Sequence, residues 1–336
     1  MLFIILKQNL TKKMQQNIYI ICPPSKATGG PEALHQLGYI LNSLGYNAKM
    51  LYSKYKKDPI HPFYKNYNVP YVMKVKDSIE NVMIIPESMT NLIAKYPLAE
   101  KKVWWLSLDF YEVLMNSREK KKNWIRKLLV PYKHTEYRFE PNKTVTHWYQ
   151  SQRTKEFLLT KDHKNDIAYL CDYVTELFFD NLPDIGNFPK ENIITYNPKK
   201  GLDKIEKYMA LLPQYKWIPL SGMTREEMRD TLRKTKLHVD FGYFPGRDKI
   251  PRESLISGVC LLTGRDGTSA FKEDLGIPEK YKLHADEMQP EKVTELINHT
   301  MNNYDEVFAE FLDFRTFVMN EKNSMIENTN KLFNKL

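Results

Sequence analysis

The strongest constraint on this chain is an alternation that starts twice. Short apolar runs lie at 17–22, 47–52, 81–86, 101–106, 144–149 and 167–171, each read as a buried strand. Helical patterns lie between several of them. The clearest follows the first run, where Leu34, Leu37, Ile40, Leu41 and Leu44 share one helical face and Gly45 stops the helix. The stretch 178–189 has Pro183, Pro189, Gly186 and no apolar period, so it reads as a linker. The alternation then restarts, with strands at 192–196, 216–220, 237–241 and 259–263. Helices are expected at 201–212 and 224–234, and a third begins at Pro251. Parallel strands need crossovers long enough for a helix, so two such series predict two doubly wound Rossmann-like α/β domains. The expected division is 1–177, a linker at 178–190, 191–320, and a helical C-terminal tail at 321–336.

A chain of 336 residues is too long for one comfortable core, which agrees with two domains. Charge divides the same way. Residues 1–175 hold 27 Lys+Arg against 15 Asp+Glu, and 176–336 hold 23 against 26. A basic first half suits an anionic partner, although a lysine-rich background would produce the same excess. Three scattered cysteines, Cys22, Cys171 and Cys260, exclude a disulfide framework or a Cys-rich zinc module and fit buried thiols in a reducing compartment. No run approaches the ~20 apolar residues of a membrane span, and the N-terminal residues show no signal-peptide cleavage pattern. A cytoplasmic protein is expected.

In open α/β sheets ligands bind beyond the carboxyl ends of strands, so the strand-to-helix turns carry the candidates. The first turn contains Thr28-Gly29-Gly30-Pro31-Glu32. Its glycines allow close backbone approach, and the helix start offers amides to a phosphate or sugar hydroxyl. A plain tight turn would use the same glycines. Neither a dinucleotide fingerprint nor a Walker loop is present. The second turn, Asn197-Pro198-Lys199-Lys200-Gly201, places two lysines at a strand end, where they suit a diphosphate or a solvated turn. The third runs from Asp240 to Glu253, with Gly246, Arg247, Lys249 and Arg252 as candidate phosphate contacts and Glu253 in the expected first helical turn as a candidate ribose ligand. Gly264, one strand later, offers further backbone amides.

The second half resembles the donor-binding domain of GT-B glycosyltransferases, of the retaining, nucleotide-sugar-using kind found in bacterial polysaccharide assembly. The stretches that carry the likeness are 197–201, 220–227 with Gly222, and 244–264. Thr28 to Glu32 resembles the Gly-Gly loop of the same family's N-domain. The resemblance implies two Rossmann-like domains facing a cleft and a nucleotide-diphosphate sugar bound mainly by the second. Lys199 or Lys200 then contacts the diphosphate and Glu253 holds the ribose. The family often has a further Glu eight positions before the latter; here that position is Pro245. The implied acceptor is a glycan or lipid-linked glycan of capsule, O-antigen or similar surface polysaccharide, bound by the basic first domain. No cofactor and no metal are expected, and the C-terminal helix is expected to cross back to the first domain.

An inverting reaction would need a base, for which Asp109 is the first candidate and Glu87 the second, each following a strand end. Both residue types also serve as helix caps or surface charges. His35 and His238 read as packed, and no cluster has metal-ligand spacing. The stretch from Arg118 to Lys133 holds seven basic residues, one acid and Trp124, which suits peripheral contact with an anionic membrane or a core-packed helix with a solvated lysine face. Two other readings compete: a GT-B-fold nucleotide-sugar epimerase, and a non-enzymatic nucleic-acid or anion binder. The latter is disfavoured because no nucleic-acid-binding module or aromatic-interleaved basic stripe is present.

Overall fold

A computed structural model describes residues 16–52, 57–120, 137–139, 144–161 and 167–334. The chain divides into two compact units. One is Met1–Asp172 with Asn323–Leu336, the other Tyr173–Lys322. The division falls ahead of the expected linker. Phe178, placed in that linker by sequence, is fully buried in the core of the second unit.

The first unit holds β1 (Asn17–Cys22), β2 (Asn47–Tyr52), β3 (Tyr71–Val72), β4 (Asn81–Pro86), β5 (Glu100–Trp105), β6 (Thr146–Tyr149) and β7 (Ile167–Tyr169). They form one sheet in the order β3-β2-β1-β4-β5-β6-β7. Every pairing is parallel. Among the described residues its α-helices are α1 (Gly29–Ser43), α2 (Leu108–Lys120) and α3 (Gln152–Thr160). A strand buried on both faces must be apolar throughout, which is why β1 and β4 read as unbroken runs. Ile18, Ile20, Val82, Met83, Ile84 and Ile85 are all fully buried. His35 is packed within α1, with its Nδ1 2.7 Å from the Pro31 carbonyl and its Nε2 3.0 Å from the Tyr52 hydroxyl. Burial lowers its pKa.

The second unit holds β8 (Glu191–Tyr196), β9 (Lys216–Pro219), β10 (Thr235–Asp240), β11 (Cys260–Gly264) and β12 (Lys282–Leu283), in the spatial order β9-β8-β10-β11-β12. All pairings are again parallel. Its helices are α4 (Leu202–Leu211), α5 (Arg225–Lys234), α6 (Lys249–Ile256), α7 (Pro290–Asn302), α8 (Tyr304–Ala309) and α9 (Leu312–Met319). Thr224 and Glu227 form a reciprocal capping box that starts α5. The last helix, α10 (Glu321–Asn334), begins in this unit and continues into the first. There Phe333 packs its ring on Tyr46 and Trp148.

The α/β class and the doubly wound topology are those the alternation predicts. Two strands escaped it, β3 and β12, because two residues carry no period. The three cysteines are buried free thiols, and burial raises the pKa of Cys22 and Cys260. No helix of the described residues is long and apolar enough to cross a membrane. The basic stretch from Arg118 to Lys133 lies outside the described residues, apart from the backbone end of α2.

Candidate functional site

The strand order sets where each unit can bind a ligand. In the second sheet the chain steps from β8 outward to β9 and then returns past β8 to β10, so the order reverses between β8 and β10. A reversal of this kind is where open α/β sheets bind ligands, beyond the carboxyl ends of the strands.

Here two glycine loops meet backbone to backbone. Gly201, at the start of α4, has φ +70°, and a Cβ there would sit 2.6 Å from the amide nitrogen of Gly242. A Cβ on Gly242 would sit 2.6 Å from the Lys200 side chain. Only glycine at both positions lets the two loops touch. The loop after β11 joins them. Phe244 N–H donates to the Asp266 carbonyl at 3.1 Å, and Thr268 N–H donates to the Phe244 carbonyl at 2.9 Å. The Thr268 hydroxyl donates to the Gly246 carbonyl at 2.6 Å.

Charge is laid over these loops in pairs. The Lys200 ammonium is 2.6 Å from Asp248 and 3.0 Å from Asp240, and stands 3.7 Å from the Phe244 ring centroid. Burial pushes the Asp240 carboxyl up, and the adjacent Lys200 acts against it. Lys199 is exposed. Lys249 donates to the Tyr173 carbonyl at 3.3 Å. Arg247 and Arg252 turn inward, each 2.7 Å from a carboxylate oxygen of Glu321. Glu253 is fully buried and 2.7 Å from the Arg225 guanidinium. Because α6 begins at Lys249 and not Pro251, Glu253 stands in its second turn and not its first. His238 lies below, buried, with Nδ1 3.1 Å from the Thr195 hydroxyl; burial, with Lys200 nearby, holds its pKa down at about 3.

The structure therefore brings Lys199, Lys200 and Gly246, on loops, and Lys249, at the start of α6, to one sheet edge, with Gly264 packed behind against Met288 and Phe241. Gly222 stands apart on the β9–α5 turn, at φ +71°, with no atom within 4 Å of where a Cβ would be. Sequence reasoning missed Asp240, Phe244 and Asp248 as partners of Lys200, although they sit at the strand end it had already marked. It also missed Arg225 and Glu321, which are distant in the chain and carry no local signal.

The first sheet reverses between β1 and β4. There α1 opens with Gly29 and Gly30, after an extended Thr28 whose side chain makes no capping bond. A Cβ on Gly29 would meet nothing within 4 Å, and one on Gly30 would meet only Leu106 at 3.6 Å. Neither glycine is required by its surroundings. Glu87, directly after β4, is 3% exposed and accepts the Leu106 N–H at 2.9 Å. Burial pushes its carboxyl up to about 7, against the opposing pull of backbone N–H groups. Asp109, in the first turn of α2, is ion-paired with Arg153. Among the described residues no group of three or more His, Cys, Asp or Glu could hold a metal ion.

No protein-family model matches this sequence, and no curated protein sequence matches it. Solved structures do match. A glycosyltransferase from Rickettsia africae aligns with a TM-score of 0.63 at 12% identity, over 96% of this chain and 98% of that one. HepE from Anabaena, solved in complex with UDP and glucose, aligns with a TM-score of 0.61 at 9% identity, over 96% and 100%. WaaG, a glycosyltransferase involved in lipopolysaccharide biosynthesis, aligns with a TM-score of 0.54 at 9% identity, over 94% and 98%. What is shared at these identities is the fold, and it spans the chain. The chain has the GT-B glycosyltransferase fold.

Proposed function

We propose that this chain is a glycosyltransferase that moves a sugar from a nucleotide-diphosphate donor to a glycan or lipid-linked acceptor of surface polysaccharide. The observation that carries this reading is the switch point of the second sheet, where glycine loops after β8 and β10 meet beneath lysines. A fold can host many activities, so the site and not the fold bears the argument. HepE, of the same fold, was solved with UDP, which supports a nucleotide as the kind of ligand. The involvement of WaaG in lipopolysaccharide biosynthesis supports the acceptor class.

In the proposed reaction an acceptor oxygen bonds to the anomeric carbon as the bond from that carbon to the diphosphate breaks. Lys199 and Lys249 stabilise the negative charge that develops on the leaving diphosphate, with backbone amides near Gly246 as further donors. Glu253, held by Arg225, keeps the ribose role that the resemblance implies. In a retaining course an oxygen of the departing diphosphate takes the acceptor's proton, so no protein base is needed. For an inverting course Glu87 fits better than Asp109, since a carboxyl titrating near neutrality can both take and hold a proton, whereas Asp109 is bound to Arg153. Metal-independent chemistry is part of the proposal.

Melting temperature measured against UDP, GDP, CMP, ADP, dTDP and their common sugar conjugates tests it, because a specific ligand stabilises the fold by mass action. One clear responder, followed by sugar transfer to a glycan acceptor, is the expected result. Conversion of the donor without any acceptor would instead indicate an epimerase. No response from a folded sample would overturn the reading.

A further inference from the structure

The β10–α6 loop faces inward as much as outward. The Arg247, Arg252 and Glu321 side chains are each 1% exposed, and the two guanidinium groups take different oxygens of the one carboxylate. Arg252 also donates to the carbonyls of Arg247 at 3.0 Å and Asp248 at 3.3 Å, so the loop is wrapped around its own guanidinium. Arg247 lies 5.7 Å over the Phe317 ring.

Glu321 opens α10, and the chain leaves the second unit directly after Lys322. The other passage between units falls between Asp172 and Tyr173. Lys249, the first residue of α6 where that loop ends, donates to the Tyr173 carbonyl. Lys322 pairs with Glu176 and lies 5.9 Å over the Tyr173 ring. Both places where the chain leaves the second unit are therefore fastened, on that unit's side, to the loop that follows β10 and the first turn of α6.

We infer that Glu321 is a positioning residue for the nucleotide site: the Arg247–Glu321–Arg252 cluster sets the shape of the β10–α6 loop and links that shape to the two chain crossings. The inference rests on the reading that this loop faces a nucleotide diphosphate. Arg247 and Arg252, which sequence marks as phosphate contacts, act through Glu321 instead, and leave Lys249 and the loop amides to face the ligand. Charges buried this fully are held only by their partners, so removing the carboxylate releases the loop. Linkage makes the effect reciprocal. If an ordered loop binds nucleotide better, nucleotide must order the loop and its crossings by the same factor.

Amide hydrogen exchange on the full chain tests this. Without ligand, Glu321→Gln should speed exchange at least about tenfold at 244–252 and at 173–176, while β8 and β10 stay slow. Acceleration confined to 320–323 would overturn the inference. With the nucleotide of the UDP, GDP, CMP, ADP and dTDP set that binds the wild type, exchange should slow at 173–176 and 320–323. Glu321→Gln should lose that slowing and bind the nucleotide about tenfold more weakly. Equal affinity and equal slowing in both proteins would overturn the inference. Should Glu321→Gln not fold, Lys249→Ala, which leaves the buried cluster intact, should speed exchange at 173–176; unchanged exchange there would overturn the link to that crossing. A wild type that binds no nucleotide defeats the functional reading, and the ligand-free comparison still decides the positioning role.

Discussion

The two switch points differ in what holds them. In the second unit, Gly201 and Gly267 are forced by backbone contact and four cations are locked to carboxylates: Lys200 to Asp240 and Asp248, Arg225 to Glu253, Arg247 and Arg252 to Glu321. In the first unit, Gly29 and Gly30 are not required by their surroundings, and one buried acid, Glu87, is held by a backbone amide. A site built from buried charge is rigid and costly to disturb, because each charge depends on its partner. A site of open helix-start amides is adaptable, since little there is fixed beyond the backbone.

The sharpest way to break this comparison is to remove the central carboxylate. Glu321→Leu should cost about 3–5 kcal/mol, read from urea denaturation, because two guanidinium groups lose a buried partner. A loss under about 1 kcal/mol would show that the cluster is no more than a surface pair. Next come the glycines. Gly267→Ala should cost at least about 1–3 kcal/mol, since φ is +77° and the new Cβ would sit 2.1 Å from the Phe244 carbonyl oxygen. Gly29→Ala should instead raise stability by up to about 1 kcal/mol, as alanine does inside a helix. Thermal melts of the two variants test this contrast directly. If Gly29→Ala also lowers turnover, close backbone approach by a ligand is the reason.

The adjacent lysines sharpen the comparison within one loop. Lys200→Ala should lower the melting temperature, because Asp240 and Asp248 lose their shared cation. Lys199→Ala should leave the melting temperature within error while weakening nucleotide binding about tenfold, as loss of one charge-assisted contact does. Calorimetry on both separates the roles, and the reverse pattern would exchange them.

A further contrast is a pH signature in the first unit. The Glu87 carboxyl is raised by burial from 4.5 to about 7, so the fold binds that proton more tightly than the unfolded chain does. Its contribution is then fully present below about pH 4.5 and is lost as pH rises through about 7. Glu87→Gln, which stays neutral, should melt higher than wild type at pH 8 and match it near pH 5. A constant difference at both values would mean that Glu87 stays ionised throughout.

Much of the fold was legible because burial on both faces writes itself as apolar runs. The positions of β1, β2 and β4 match the runs at 17–22, 47–52 and 81–86. The start of α6 was misread because Pro251 suggested a first turn, whereas the helix begins two residues earlier and moves Glu253 into its second turn. Phe178 was assigned to a linker because its neighbours lack a period, yet one large side chain can be core without any pattern around it.

What the sequence by itself determined is the order of strands and helices, the two α/β series and the turns where ligands can bind. These depend on neighbours in the chain, through periodicity and through glycine and proline geometry. What only the tertiary structure decided is how the charges are used. Arg247, Arg252 and Glu253 looked alike as ligands from the sequence. Their partners, Glu321 and Arg225, are distant along the chain and are brought within 2.7 Å only when the fold closes. A charge is specified by its partner and its exposure, and neither is a local property of sequence.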